Sequence, residues 1–583
     1  MGTISDKLMR IINTKEDIRQ ALISKGYDVP TSIPFKEYAK MILDLPCKVD
    51  FFPDIEGIVA RYSASGLTNE QMAANPVWVD KTGNGHDIQL KNFSWKGMSG
   101  VGGYEMNFNL WRNNVSSIPD ISMSTTTTSV SVSVGNSTYN NNLIYIHISN
   151  WDINKNHWLK VTSTYEDGDL AFIFYNDSNT KKIGLPANGY VNILAYPEFK
   201  GSYMYISTIS NKQGSFTIEQ LPLYPGALVF DGVDDYGVCD NFPILTKEKG
   251  YTVVALRQWI SMGEGISGLV SNVKNWFNDG AFVLEYNSNN ATNKFVNRPV
   301  SFGNVNIEMD LPNNFTYQTS KSYKGVPITT GSFKGTNSLF VGKLNNIIGN
   351  CSNVAIWEFV FLDHDATEEE LTKIKDYFVK TYPWLFFDQA WTVVGKTNED
   401  EDRATIANIT GNGNNLVLSN LGFIEGSGYN KEGEYAGYLV TDGVDDKITS
   451  SIFEMGNDWT VIGDWELINT GKKDNAGIVK FDSIVIYNYN SILINIKNGR
   501  NNLIPDQNTV NAICSDGRIY SKDWKESIYN EETESTSKNF LTIGYSGNSY
   551  TKIAFKNLAI YPTVLSREDC IKAYNYLQTL KAK

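Results

Sequence analysis

From about residue 55 onward the chain is filled with short runs that alternate apolar and polar residues. Gly, Asn, Asp and Ser break these runs, a pattern that predicts β-strands joined by turns. Helical periodicity is confined to the first 46 residues and two later segments. ISDKLMRIINTKEDIRQALISKG reads as two helices. Leu8, Ile11 and Ile12 line the first, while Ile18, Ala21 and Leu22 follow a Thr14 cap in the second, and Gly26 is a natural stop. PFKEYAKMILDLP reads as a third helix with Phe35, Tyr38, Ile42 and Leu45 in one stripe. So short a segment builds little core of its own, so its stripe is read as a docking or oligomerisation surface.

The strand-rich remainder repeats itself. LVFDGVDDYGV at Leu228 returns as LVTDGVDDKIT at Leu439. Upstream, GLTNE at Gly66 matches GKTNE at Gly395, and KTGNGHDIQLKNF at Lys81 matches ITGNGNNLVLSNL at Ile409. Downstream, SLFVGK at Ser338 matches FLTIGY at Phe540, and NVAIW at Asn353 is aligned with NLAIY at Asn557. Each copy then opens a helix with a capping box, Thr367-Glu-Glu-Glu in the first and Ser566-Arg-Glu-Asp in the second. Landmarks kept in one order imply a tandem duplication.

The copies differ in length. Thr82 and Asp231 lie 149 residues apart, Thr410 and Asp442 only 32, so the first copy carries 117 more residues, about Tyr104 to Leu223. That is a domain rather than a loop. Its runs SVSVSV, LIYIHIS, HWLKVTSTY, DLAFIFYN, YVNILAY, SYMYISTI and SFTIEQL predict a β-sandwich of seven or eight strands with adjacent ends. The expected organisation is a helical segment over 1–47, a discontinuous first repeat over 48–103 plus 224–385, an inserted sandwich over 104–223 and a second repeat over 386–583.

Composition narrows the classes. The chain of 583 residues has 41% hydrophobic and 13% aromatic residues, ample for several cores. A net charge of −13 and the absence of a basic run argue against nucleic acid. Five scattered cysteines, Cys47, Cys239, Cys351, Cys514 and Cys570, without CxxC read as reduced buried thiols. MGTISDKLMR has no apolar core of the signal-peptide kind, and no run is long enough to span a bilayer, so membrane insertion is not expected.

The motifs Asp80 with Thr82 to His86, Phe230 to Tyr236, and Leu339 to Glu370 resemble those of laminin-G-like, concanavalin-A-like jelly rolls. The resemblance covers 55–103, 224–380 and 388–580, and the second copy departs where Asn414 replaces His86 and Thr441 replaces Phe230. It implies a mainly β fold: tandem concanavalin-A-like β-sandwich jelly rolls, one with an inserted β-sandwich, plus a small N-terminal α-helical segment. The head, TKEDIRQALISKGYDVPTSIPFKEYAKMI, resembles N-terminal segments of tailed-bacteriophage structural proteins. Together they look like fibre or appendage proteins of phages infecting gut Bacteroidetes, such as crAss-like phages. This implies a virion protein assembled in the host cytoplasm. Its head would contact other virion proteins, its jelly rolls would bind host or mucus polysaccharide, and a homotrimer would be the assembly.

Candidate chemistry is sparse. A glucanase of this fold needs two carboxylates about 5 Å apart on one strand face, as in E-x-D-x-x-E, and no such pattern is found on an apolar strand. DHDATE at Asp363 lies in a turn, Glu166, Asp167 and Asp169 read as a hairpin turn, and TNEDEDR at Thr397 as a solvated loop. Of the four histidines, His86, His147, His157 and His364, only the distant pair His147 and His157 invites a ligand reading, and each is read as an ordinary strand residue. No catalytic, cofactor or metal residue is assigned, and no enzyme is expected. The DGVDD stretches read chiefly as turns. A calcium reading stays open for Asp234 with Asp235 and for Asp445 with Asp446. Trp95, Trp111, Trp151, Trp158 and Trp276 stand in loop-like contexts where aromatics stack on sugars, though none is singled out as a site.

Overall fold

A computed structural model describes Lys15, Arg19 and residues 52–582. Left out of that range are 106–107, 114–120, 136–141, 148–156, 176–179, 194–202, 209–212, 247, 262–265, 274–282, 288–293, 298–304, 309–314, 324–325, 328–335, 345–349, 469–475, 482–483, 489–491, 497–499, 505–509, 523, 529–540 and 547–548. The helices expected over 1–47 thus lie outside the described residues, apart from helical Lys15 and Arg19. The protein is mainly β, built of antiparallel sheets.

Two pairs of eight-stranded sheets carry the repeat. In the first copy one sheet is centred on the Asn353–Leu362 and Thr252–Ser261 strands, and its partner runs from Val77–Trp78 through Tyr236–Cys239 to the Ile266–Ser271, Val283–Asn287, Lys294–Asn297 and Val305–Glu308 meander. The second copy repeats this order. Ile553–Tyr561 and Thr460–Leu467 lie at the centre of one sheet, and the other ends in the meander Ala476–Phe481, Ile484–Asn488, Ile492–Ile496 and Arg500–Ile504.

Strand pairing corrects one alignment. Leu228 pairs with Ile356 and Leu439 with Phe555. The equivalent of Asn353 is therefore Lys552, not Asn557, and the match of NVAIW with NLAIY is out of register. The physical cause is a β-bulge. The register of each central strand shifts midway, between Leu256 and Arg257 on one neighbour and between Asp464 and Trp465 on the other. A bulge exchanges the faces of the residues beyond it, so an odd slip preserves the inside-outside pattern.

Between Gly100–Val101 and Leu228–Asp231 sits the insert, two five-stranded sheets around Trp111, Phe172, Leu159 and Ile218. It has ten strands. Arg112–Asn113, Ile121–Thr125 and Thr180–Leu185 escape the sequence reading: the first is only two residues long, ISMST is short, and TKKIGL is exposed along most of its length and so carries little apolar alternation. The insert is rooted narrowly. Leu223 N–H donates to the Gly103 carbonyl at 3.0 Å and Tyr224 N–H to the Gly102 carbonyl at 2.8 Å.

The sandwich interiors hold two separate cores, one around Tyr62, Trp78, Phe230 and Phe361, the other around Trp391, Leu439, Trp459 and Phe555. A third core lies between the repeats. It takes Trp357, Phe378 and Trp384 from the first, Tyr561, Tyr574 and Tyr576 from the second, and Trp158 from the insert. Trp158 packs edge-on against Tyr574 with ring centroids 5.1 Å apart, and Trp357 meets Tyr576 at 6.3 Å. Helices Glu368–Thr381 and Arg567–Leu577 close this core. Thr367 forms a full capping box with Glu370. Ser566 accepts the Asp569 N–H, and the Asp569 carboxylate accepts the Ser566 hydroxyl instead of reaching the backbone, because Asp is one methylene shorter than Glu.

One buried charge pair distinguishes the copies. Glu358 is fully buried. It accepts Arg61 Nε at 3.3 Å, Tyr377 OH at 3.2 Å and Tyr382 OH at 2.8 Å, and the guanidinium lies over Phe52. By strand pairing the equivalents of Arg61 and Glu358 are Ala390 and Asn557, so charge is lost from both partners together. This fits the cost of burying one charge alone. Replacing Glu358 by Ala is expected to destabilise the first repeat by about 3–5 kcal/mol, read as a lowered urea midpoint. An unchanged midpoint would mean that the network contributes nothing.

Candidate functional site: two acidic corners and a junction cleft

Each DGVDD stretch joins strands of different sheets. Leu228–Asp231 pairs with the Asn353–Leu362 strand, whereas Tyr236–Cys239 pairs with Ile88–Lys91 and Leu339–Val341. The stretch is therefore a corner from sheet to sheet, not a hairpin. An Asp-Gly pair serves both, since either needs a residue at positive φ. Gly232 has φ +80°, and a Cβ there would come within 2.8 Å of Asn353.

Carboxylates hold the corner. Asp231 Oδ1 accepts the N–H groups of Val233 at 2.7 Å and Asp234 at 3.4 Å. Asp235, fully buried, accepts the Asp231 N–H on Oδ2 at 3.0 Å and the Ser99 hydroxyl on Oδ1 at 3.0 Å. In the second copy Asp442 Oδ1 repeats the first pair of bonds, to Val444 and Asp445. Buried Asp446 differs. The Asp442 N–H, at 2.7 Å, and the Ser427 hydroxyl, at 2.8 Å, both fall on Oδ2, and Oδ1 is enclosed without a hydrogen-bond partner. In each copy the three carboxylates bring one oxygen apiece within 4.8 Å of one another. Burial, with the neighbouring Asp231 and Asp234 charges, pushes Asp235 from an ordinary 3.8 up to about 7. Asp446 is also raised, first by burial.

The other repeated motifs are structural as well. Asp80 gathers Arg61 N–H, Thr82 N–H, the Thr82 hydroxyl and His86 N–H. Its equivalent Asn408 gathers Ala390 N–H, Thr410 N–H and the Thr410 hydroxyl. In the TNE stretches Asn69 brackets Val101 with both amide atoms, as Asn398 does Tyr429.

Residues considered for ligand chemistry disperse. Trp111 is core in the insert, Trp158 is buried at the junction, and half-buried Trp95 stacks on Phe93 at 4.8 Å. Trp151 and Trp276 lie outside the described residues. His147 and His157 stand in opposite sheets of the insert. His364 faces Glu370 at 3.1 Å, and His86 packs against Phe242. Cys239, Cys514 and Cys570 are buried and free, and Cys351 is free and half-buried.

Sequence reading passed over Asp464 and Glu466, a D-x-E pair on the Thr460–Leu467 strand whose alternate spacing was the available signal. Asp464 accepts Tyr438 OH at 3.0 Å and Gln578 Nε2 at 3.1 Å, with Lys556 at 3.9 Å, and Glu466 pairs with Lys522 at 3.2 Å. Beside them Glu105, Trp158, Gln220, Asn575 and Gln578 line a cleft where the insert meets the second repeat. Among the described residues no helix is long and apolar enough to cross a membrane.

No family model matches the chain, and no curated relative does. Among solved structures it is similar to Trypanosoma rangeli sialidase in complex with sialic acid, at 9% identity over 80% of this chain and 85% of that one, with a TM-score of 0.25. It is also similar to the binding domain of botulinum neurotoxin serotype D, at 12% identity over 60% and 89%, with a TM-score of 0.24. Likenesses this distant carry no functional argument.

Because the folded value of Asp235 lies above its unfolded one, folding takes up a proton between these values. The stabilisation is fully present below about pH 3.8 and lost as pH rises through about 7. Asp235→Asn is expected to flatten the fall in the urea midpoint between pH 5 and 8, while Asp234→Asn, which removes only one of the smaller causes of the shift, flattens it far less. An equally steep fall in Asp235→Asn would exclude Asp235 as its source.

Proposed function

We propose that the chain is a bacteriophage virion protein, a head or tail fibre, whose two jelly rolls and inserted sandwich bind host-surface or mucus glycans without covalent chemistry. Its N-terminal segment docks on other virion proteins, and the assembly is a homotrimer. The observation that supports binding is how variation is distributed over the repeat. Residues that brace the corners recur, whereas the edge meanders 266–308 and 476–504 diverge, as in VLEYN and KFVN against IVIYN and ILINI. A kept scaffold with varied peripheral segments is how recognition surfaces diversify.

A second reading, virion decoration without sugar binding, draws support from the valines at the corner tips. Val233 is 76% exposed and Val444 71%, unusual for apolar residues repeated at equivalent positions.

Labelled full-length protein is expected to be retained on capsulated gut Bacteroidetes cells and lost on acapsular mutants, without release of reducing ends. Exchanging 476–504 for 266–308 should change which capsules are recognised. Retention only on phage particles lacking the protein would favour decoration, and released reducing ends would make it a depolymerase.

A further inference from the structure

We propose that Cys514 and Cys570 are a redox-active dithiol that closes to a disulfide, tying helix Arg567–Leu577 to the sheet beneath it. Both are free, and both lie fully buried in the core between the repeats. Cys514 ends its strand and pairs across the sheet with Thr460, while Cys570 stands four residues past the helix cap Ser566. Thr460 and Leu565 bracket the two sulfurs. Thr460 Oγ1 lies 3.7 Å from Cys514 Sγ and accepts the Leu565 N–H at 2.9 Å, and the Leu565 carbonyl oxygen lies 4.0 Å from Cys570 Sγ. The two thiols hydrogen-bond each other. The first repeat has neither. Thr252 makes the bonds that Thr460 makes, to His364 and Ala366, and pairs with Thr319, so Thr319 stands for Cys514. Leu371, four residues past the cap Thr367, stands for Cys570. Two thiols that face each other are thus present together in one copy and missing together from the other. A cysteine kept only as a small apolar filler has no reason to come in pairs.

The surroundings give the two sulfurs different tasks. The hydrogen bond from Cys570 lowers the Cys514 thiol below its ordinary value, and the Thr460 hydroxyl and the Arg518 guanidinium act in the same direction. Burial, followed by the Cys514 neighbour, pushes Cys570 up. Cys514 is therefore the attacking thiolate and Cys570 the thiol that completes the bond. The oxidant is a low-molecular-weight disulfide. Cys514 attacks one of its sulfurs and expels a thiolate. Cys570 then gives up its proton, attacks Cys514 Sγ and expels the other half, so the reagent leaves as two thiols and the pair remains as one disulfide. Exposed Asp516 lies two residues from Cys514, and exposed Ser566 to Glu568 cover Cys570, so opening a single helical turn admits the reagent. Reducing surroundings keep such a pair as thiols and oxidising ones close it.

The reagent tested is oxidised glutathione, applied to reduced full-length protein both folded and during refolding from urea, so that burial cannot hide the reaction. Peptide maps made without reductant are expected to recover Cys514 joined to Cys570, and the urea midpoint should rise by roughly 1 M and fall back on reduction. Cys514→Thr and Cys570→Leu carry the first repeat's residues at these positions. Each should keep the parent's circular dichroism and lose both the cross-link and the rise, whereas Cys351→Ser should keep both. Recovery of Cys514 and Cys570 as thiols after refolding in the oxidant, a cross-link of either one to a different cysteine, or a rise that persists in Cys514→Thr would each overturn the proposal.

Discussion

The architecture depends on a hydrophobic core that belongs to no single sandwich. Each central sheet is apolar on both faces. Val354, Ile356 and Phe361 point into the first sandwich, while Ala355, Trp357, Val360 and Leu362 point away from it. An outward apolar face of that size must be covered, and each repeat covers the other's with a helix between them. Tyr561 OH donates to the Trp384 carbonyl at 3.1 Å, and Lys572 lies over the Trp384 ring at 4.5 Å. The insert joins by the same means, through Trp158 against Trp524 and Tyr574, with Lys525 and Asp167 paired at 3.4 Å outside.

This explains the acidic corners. Strands buried on both faces turn sharply at the sandwich ends, and backbone N–H groups there have lost their ladder partners. Buried polar groups need bonds, and short side chains with two acceptor oxygens supply them. Asp235, Asp446, Asp80 and Asn408 share that task, which accounts for Asp and Asn at equivalent positions: the backbone asks for an oxygen, not for a charge.

Much of the fold was legible because it repeats. The DGVDD, TGNG and TNE stretches brace corresponding corners in space, and most strands of the insert followed from alternation. Legibility failed where a physical effect hid the pattern. The bulges made a slipped alignment of NLAIY look sound. TKKIGL, exposed along most of its length, carried almost no apolar positions. Loop-like context suggested exposure for Trp111 and Trp158, whose burial depends on sheets far away in sequence. The unequal bonding of Asp235 and Asp446 could not be read from two identical pentapeptides, since it rests on where Ser99 and Ser427 arrive.

The exchange of Arg61 and Glu358 for Ala390 and Asn557 bears on how the two halves evolve. Duplicated segments within one gene tend to overwrite each other by recombination. A tract that copied only one strand of this pair would bury a lone carboxylate or a lone guanidinium. Partial conversion is thus selected against in either direction, and two residues far apart in sequence act as a lock that lets the halves drift into different specialisations.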